Sequence, residues 1–191
     1  MIKPFADFET LMNTEQTEKL PKGAYILRIM KTELVQGDGL TSDRIVLYFD
    51  IAEGQYMNFF KKQYDSNTFD NKKWRGKYVL WLPDNSSSEM NMRNKRRFTA
   101  VIKAFQRSNA GYKWNWDETT LSGKLIGGIF RTEHNEFDGK EVSYTAIAWL
   151  TDVTTVRSGN YTLPEDKDVR KPTHEGFVTV DVPDEIPFEF N

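Results

Sequence analysis

Three short segments of the chain interleave aromatic rings with cationic side chains. Cations neutralise phosphates, and flat rings stack on unpaired bases with little preference for sequence. The pattern therefore predicts a surface that binds single-stranded nucleic acid. The candidate residues are Phe60, Lys61, Lys62, Tyr64, Lys72, Lys73, Trp74, Arg75, Tyr78, Tyr112, Lys113, Trp114 and Trp116.

Each ring also has an interpretation as a core residue. Adjacent rings rarely both face solvent, so we expect Phe59 or Phe60 to lie in the core. Trp74 stands between Lys73 and Arg75, and this makes it the first candidate for a ring that stacks on bases.

The formal net charge of −2 conceals an uneven distribution along the chain. Residues 56–116 carry 13 basic and 4 acidic side chains, a net charge of +9. Residues 1–55 have a net charge of −3, and residues 117–191 have a net charge of −8. This distribution favours a protein that binds a polyanion through its middle and ends in an acidic segment. A solvated charged surface is the alternative interpretation.

Residue types on which many enzymes depend are scarce. The chain has no cysteine, and its two histidines, His134 and His174, are far apart in the sequence. Thiolate metal sites and cysteine nucleophiles are therefore excluded. Neither a phosphate-binding Gly-x-x-x-x-Gly-Lys-Ser/Thr loop nor a Gly-x-Ser-x-Gly motif is present. We expect no enzymatic activity, no cofactor and no bound metal.

One acidic cluster leaves a different function open. Four carboxylates surround a predicted turn and offer ligands for the metal of a nuclease, although a solvated turn is the preferred interpretation. They are Glu133, Glu136, Asp138 and Glu141.

The elements that would position these residues are mostly strands. Alternating and β-branched residues predict strands over 24–30, 45–51, 77–82, 124–132 and 141–152. The spacing of Phe98, Val101, Ile102 and Phe105 predicts a helix over 91–107. This order predicts a mainly β fold, a five-stranded OB-type barrel with one helix between strands 3 and 4. OB folds bind oligonucleotides on one face and with its loops.

Glycines mark two further features of the predicted barrel. Asp138-Gly139 predicts a tight hairpin turn between the last two strands. Gly127-Gly128 inside a strand indicates a bulge, a bend of the barrel or a close approach of a ligand.

The ends of the chain differ in composition from the middle. We predict an N-terminal arm or short helix over residues 1–22, an OB-fold domain over 23–157, and a flexible, disordered acidic C-terminal tail over 158–191. No apolar run approaches the roughly 18 residues of a membrane-spanning helix. The N-terminus lacks the layout of a secretory signal, so we expect a cytoplasmic protein without a membrane partner.

The acidic tail ends in the sequence Asp184-Glu185-Ile186-Pro187-Phe188. This segment resembles the acidic tip of bacterial single-stranded-DNA-binding proteins, in which acids precede a C-terminal Ile-Pro-Phe. The resemblance implies that the tip docks on replication and repair proteins and competes with DNA for the groove. In that family the Phe is the last residue, whereas Glu189-Phe190-Asn191 follow here. The docking residue is therefore Phe188 or Phe190.

Segments 23–29 and 47–56 are similar to the strands of phage-encoded single-strand-binding proteins found beside recombination genes. The similarity extends loosely over residues 23–153. It implies sequence-independent binding of single-stranded DNA in phage or bacterial replication, recombination and repair. The tail would then recruit a polymerase, a helicase or a recombinase, and a homo-oligomer remains open. The alternative is a protein-interaction module, such as a phage inhibitor of a host factor in DNA metabolism.

Overall fold

The computed structural model describes residues 19–38, 41–68, 70–137 and 139–170. The fold is mainly β, as predicted, and consists of a six-stranded mixed sheet with a few helices. The strands are β1 (Gly23–Val35), β2 (Arg44–Ile51), β3 (Lys77–Trp81), β4 (Leu125–Phe137), β5 (Lys140–Thr151) and β6 (Lys167–Asp168). The helices are α1 (Phe59–Ser66), α2 (Glu89–Ser108) and α3 (Val153–Ser158), and a 3-10 turn spans Glu118–Leu121.

Long strand β1 joins the two halves of the sheet. The order is β3-β2-β1-β4-β5, with antiparallel pairing throughout this path. Residues 23–28 of β1 pair with β4, and residues 27–35 pair with β2. The register shifts between Ile29 and Lys31, which bends the strand between its two partners. Among the described residues β3 and β5 do not pair, so the sheet is not closed into a barrel.

The core lies between the sheet and α2, where the sequence places it. Ile45, Leu47, Phe49 and Ile51 of β2 are buried, as predicted, but the residues that alternate with them are buried too, so both faces of the strand are covered. The apolar stripe of α2 is buried as well, and the helix packs against β3, β4 and β5. The side chain of Ser88 caps the helix by accepting a hydrogen bond from the Asn91 N–H.

The two adjacent glycines of β4 allow close packing on both sides of the strand. A Cβ atom at Gly127 would lie 2.7 Å from Cγ2 of Val156 in α3. A Cβ atom at Gly128 would lie 2.7 Å from Cδ1 of Leu27 in β1. Neighbouring side chains, rather than a ligand, therefore fill the space above these glycines.

The hairpin between β4 and β5 has the predicted two-residue connection. Phe137 pairs with Lys140, and Gly139 has a φ of +70°, which glycine adopts without strain. β4 is longer than predicted, and the hairpin extends beyond the end of β1.

Within the segment predicted as the tail, Lys167–Asp168 form β6. β6 pairs in parallel with β4 at Glu133 and His134, on the edge that β1 leaves uncovered. An ion pair of 2.9 Å between Lys22 and Asp166 holds the same segment. An unpaired strand edge exposes backbone N–H and C=O groups, and pairing with β6 covers this edge of β4. The predictions for residues 1–18 and for the tip at 184–190 lie outside the described residues.

In the parts of the chain that the structure describes, no helix is long and apolar enough to cross a membrane.

The buried carboxylate of Asp50 in β2 fixes the start of α1. It is 3% exposed and accepts hydrogen bonds from the N–H groups of Ile51 (2.8 Å), Phe60 (3.0 Å) and Lys61 (3.0 Å). The N-cap residue Asn58 makes no side-chain capping bond, so Asp50 takes this role from a neighbouring strand. Burial raises the pKa of Asp50, and the three N–H bonds offset this shift only in part.

We predict that Asp50→Ala lowers the free energy of unfolding by about 2 kcal/mol, because three buried N–H groups lose their acceptor. Urea unfolding followed by circular dichroism measures this change. The matched control is Asp65→Ala, which removes only an exposed ion pair with Lys61 and should cost about 0.5 kcal/mol or less. Equal losses in the two variants would contradict the capping role.

Candidate nucleic-acid interface

Trp74 anchors the loop that joins α1 to β3. Its side chain is 2% exposed, and its indole N–H donates a hydrogen bond of 3.1 Å to the carbonyl of Phe49. A buried indole needs such an acceptor, and the β2 backbone supplies it. The prediction that Trp74 stacks on bases is therefore corrected, because its ring is enclosed in the core.

The burial of Trp74 leaves the cations on either side of it at the surface. Lys73 and Arg75 are exposed, and Lys72 and Lys77 are half-buried. Together they line an open groove of about 500 Å³ that contains no acidic lining residue; the other lining residues are Asn67, Asn71 and Trp74. We call this the basic groove. Three of its four cations belong to the predicted site, and Lys77 was not predicted.

Lys77 links the basic groove to a face of β1, β2 and β3, here called the outer face, on which Arg44 and Tyr48 of β2 are only 4% and 8% exposed. Nζ of Lys77 lies 5.8 Å from the centroid of the Tyr48 ring, and Nζ of Lys31 lies 5.9 Å from the same ring. The Tyr48 hydroxyl donates to Glu33 at 2.9 Å. Burial, together with this bond, raises the pKa of Tyr48 to about 12, so the hydroxyl remains neutral at physiological pH.

Sequence reasoning missed Lys31 and Lys77, the two cations beside the buried Tyr48 ring. The period of two in β2 did not reveal them, because Tyr48 is buried like its neighbours Leu47 and Phe49. The aromatic and basic clusters in the sequence directed attention to the neighbouring loop instead.

The remaining predicted residues of α1 and β3 have different environments. Phe60 is buried with Phe59 and packs edge-on against Phe49 at 5.3 Å, so it is corrected to a core residue. The rings of Phe59 and Phe60 both point into the core, because α1 packs over it. Tyr64 and Tyr78 are half-buried, and Nζ of Lys72 lies 4.6 Å from the Tyr64 ring.

The two predicted lysines of α1 remain at the surface. Lys61 forms an ion pair of 2.7 Å with Asp65, and Lys62 is exposed. Lys61 and Lys62 lie at the start of α1, where Asp50 accepts a hydrogen bond from the Lys61 N–H. The position of α1 therefore also determines where these two cations lie.

A second aromatic group lies on α2, apart from the residues that line the basic groove. Trp116 is 79% exposed, and its ring stacks on Phe98 at 6.2 Å with an interplanar angle of 15°. Trp114 packs against Phe98 at 6.1 Å with its ring at a steep angle. We call these three residues the Trp116 stack. Lys113 in the same loop is exposed, and the Tyr112 hydroxyl bonds to Thr120.

The geometry of the Trp116 stack favours recognition of a flat ring. One face of the Trp116 ring lies on Phe98 and the ring is largely exposed, so the other face offers a platform on which a flat ring can stack. Trp116 has a φ of 69°, in the left-handed region that bulky residues rarely adopt. Such strain is concentrated at functional positions.

The acidic residues of the β4–β5 hairpin have internal partners. Glu133 accepts hydrogen bonds from Arg131 at 2.6 and 2.9 Å and from the Tyr144 hydroxyl at 3.3 Å. Asp138 lies outside the described residues. Across the described ranges, no group of three or more histidine, aspartate or glutamate residues is arranged to hold a metal ion.

No family model matches the chain, and a search of curated proteins found no similar protein.

We predict that Trp116→Phe removes the most solvent-accessible part of the tryptophan emission, whereas Trp74→Phe removes a shielded part. The reason is their exposed fractions, 79% and 2%. Acrylamide quenching of the two variants and of the parent protein measures the difference. Equal loss of quenchable emission in both variants would contradict the placement of the two rings.

Proposed function

We propose that the protein binds single-stranded DNA without sequence preference, in the basic groove and along the outer face of β1, β2 and β3. The observation that carries the proposal is the groove itself, which is lined by Lys72, Lys73, Arg75 and Lys77 and has no acid among its described lining residues. Such a surface attracts a phosphate backbone and gains free energy from the release of counterions.

The strand order supports an OB-type arrangement. Five strands in the order β3-β2-β1-β4-β5, with α2 between β3 and β4, match the order expected for an OB barrel with its β3 and β5 edges apart. OB folds are partly open Greek-key barrels that bind oligonucleotides on the face of strands 2 and 3. In this chain that face carries Tyr48 between Lys31 and Lys77.

Exposed aromatic rings favour a single strand over a duplex as the ligand. The Trp116 platform can accept only a base that is not already stacked in a helix. Stacking and phosphate contacts are both largely independent of base identity, so the expected binding has little sequence preference.

A role in replication, recombination or repair is also proposed, with the acidic tip recruiting partner proteins. This part depends on the sequence of the tail, Asp184 to Phe190, and on its resemblance to the tips of bacterial single-strand-binding proteins.

We predict that a Lys72→Ala/Lys73→Ala/Arg75→Ala variant binds oligo(dT) much more weakly than the parent protein. Each phosphate contact contributes about 0.7 to the slope of log affinity against log salt on single strands. Loss of three contacts should therefore lower that slope by about 2. Fluorescence anisotropy of labelled oligo(dT) at several salt concentrations measures both quantities.

The matched control is Lys140→Ala/Arg157→Ala/Lys167→Ala, which removes three exposed cations outside the groove. It should leave the affinity and the salt slope close to those of the parent protein. A parent protein without affinity for oligo(dT) at low salt would refute the proposed function. Equal losses in the two triple variants would refute the groove as the site.

We predict that Trp116→Ala weakens binding of oligo(dT) by about 5- to 150-fold, because one stacked base contributes about 1–3 kcal/mol. The salt slope should not change, since no cation is removed. Trp149→Ala on β5, another partly exposed tryptophan, is the matched control and should bind normally. Normal binding by Trp116→Ala would exclude the platform from the site.

A further inference from the structure

Arg44 lies on the outer face of β2, the same face that carries Tyr48. It pairs with Val35 of β1 on one side and with Trp81 of β3 on the other. The side chain is 4% exposed, and its guanidinium carbon lies 5.4 Å from the centroid of the Trp81 ring. The contact with the ring therefore holds the guanidinium group against the sheet.

The guanidinium group of Arg44 is buried without a counterion. Its Nε atom is inaccessible and has no hydrogen-bond partner. None of the ion pairs between described residues includes Arg44. A guanidinium carries five N–H donors and a permanent charge, and burial of such a group without a partner is unfavourable. A bound anionic ligand would supply the missing partner and would explain why an arginine occupies this buried position.

We propose that Arg44, oriented by Trp81, binds a phosphate of the single-stranded DNA. This inference rests on the proposed function and adds a position that the basic and aromatic segments of the sequence do not contain. The planar guanidinium can donate two parallel hydrogen bonds to a phosphate, which a lysine cannot. Two cations, Lys31 and Lys77, and one carboxylate, Glu33, surround Tyr48 further along the sheet, so this part of the face keeps an excess of positive charge that favours phosphate.

The position of Arg44 separates it from the other phosphate contacts. Arg44 and Tyr48 are four residues apart on one strand, so about 13 Å separates their Cα atoms. A single phosphate cannot contact both places. The inference therefore predicts at least two phosphate contacts along the outer face, one near Tyr48 and one at Arg44.

The decisive variant is Arg44→Met, which replaces the buried cation with an apolar chain of similar length. We expect it to bind oligo(dT) about 10- to 100-fold more weakly, as loss of a charge-assisted contact predicts. The salt slope should fall by about 0.7. Its melting temperature should equal or exceed that of the parent protein, because an unpaired buried charge is removed.

Two further variants complete the design. Arg44→Lys keeps the charge but loses the paired donors, so affinity should fall while the salt slope is retained. Arg157→Met removes an exposed arginine of α3 that pairs with Glu53, and it should bind normally. Should Arg44→Met fold poorly, a lower melting temperature together with unchanged affinity would overturn the proposal by showing a structural role.

Inorganic phosphate distinguishes a strand contact from a general anion site. At constant ionic strength, phosphate should raise the melting temperature of the parent protein more than that of Arg44→Met. Phosphate stabilisation that depends on Arg44, combined with normal binding of oligo(dT) by Arg44→Met, would overturn the strand contact. If the parent protein does not bind oligo(dT), the proposed function fails. In that case, equal stabilisation of the parent protein and of Arg44→Met by phosphate refutes the Arg44 site as well.

Discussion

The hydrogen bond from the Trp74 indole to the Phe49 carbonyl determines how the candidate site is arranged. It attaches the loop between α1 and β3 to the central part of β2. The backbone of Gly76 bonds to Phe49 as well, and a Cβ atom at Gly76 would lie only 2.2 Å from the Phe49 carbonyl oxygen. The loop is therefore held closely against the strand. With Trp74 inside, the flanking Lys73 and Arg75 remain at the surface and form the wall of the groove.

The charged residues of the outer face and those of the groove differ in their exposure to solvent. In the groove the cations are solvated or partly solvated and act as a field for phosphates. On the outer face Arg44 and Tyr48 are 4% and 8% exposed beside neighbouring side chains, so their contacts are directional. A ligand that spans both regions gains long-range attraction from the groove and positioned contacts from the sheet. Under the proposed function, this combination would give binding that does not depend on base sequence.

Local sequence patterns were sufficient to predict the helices and strands, but not the direction in which individual side chains point. The helical stripe around Phe98 predicts α2 correctly, whereas the alternation of β2 does not show that both faces of this strand are buried. Flanking cations made Trp74 resemble a surface residue, whereas its need for a buried acceptor placed it inside. The sequence shows which face of β2 Arg44 occupies. It does not show whether a carboxylate lies near the guanidinium group, because that depends on how β1, β2 and β3 pair. The parallel contact of β6 with β4 joins segments more than thirty residues apart and leaves no local signal.

The most direct test of the account is the ¹H–¹⁵N spectrum of the tryptophan indoles during titration with oligo(dT). The chain has five tryptophans, and they occupy distinct environments. The account predicts large shifts for Trp116, in the loop after α2, and for Trp81 beside Arg44, and no shift for Trp149 on β5. Shifts confined to Trp149, or an unchanged spectrum at low salt, would contradict binding of single-stranded DNA on this face of the protein.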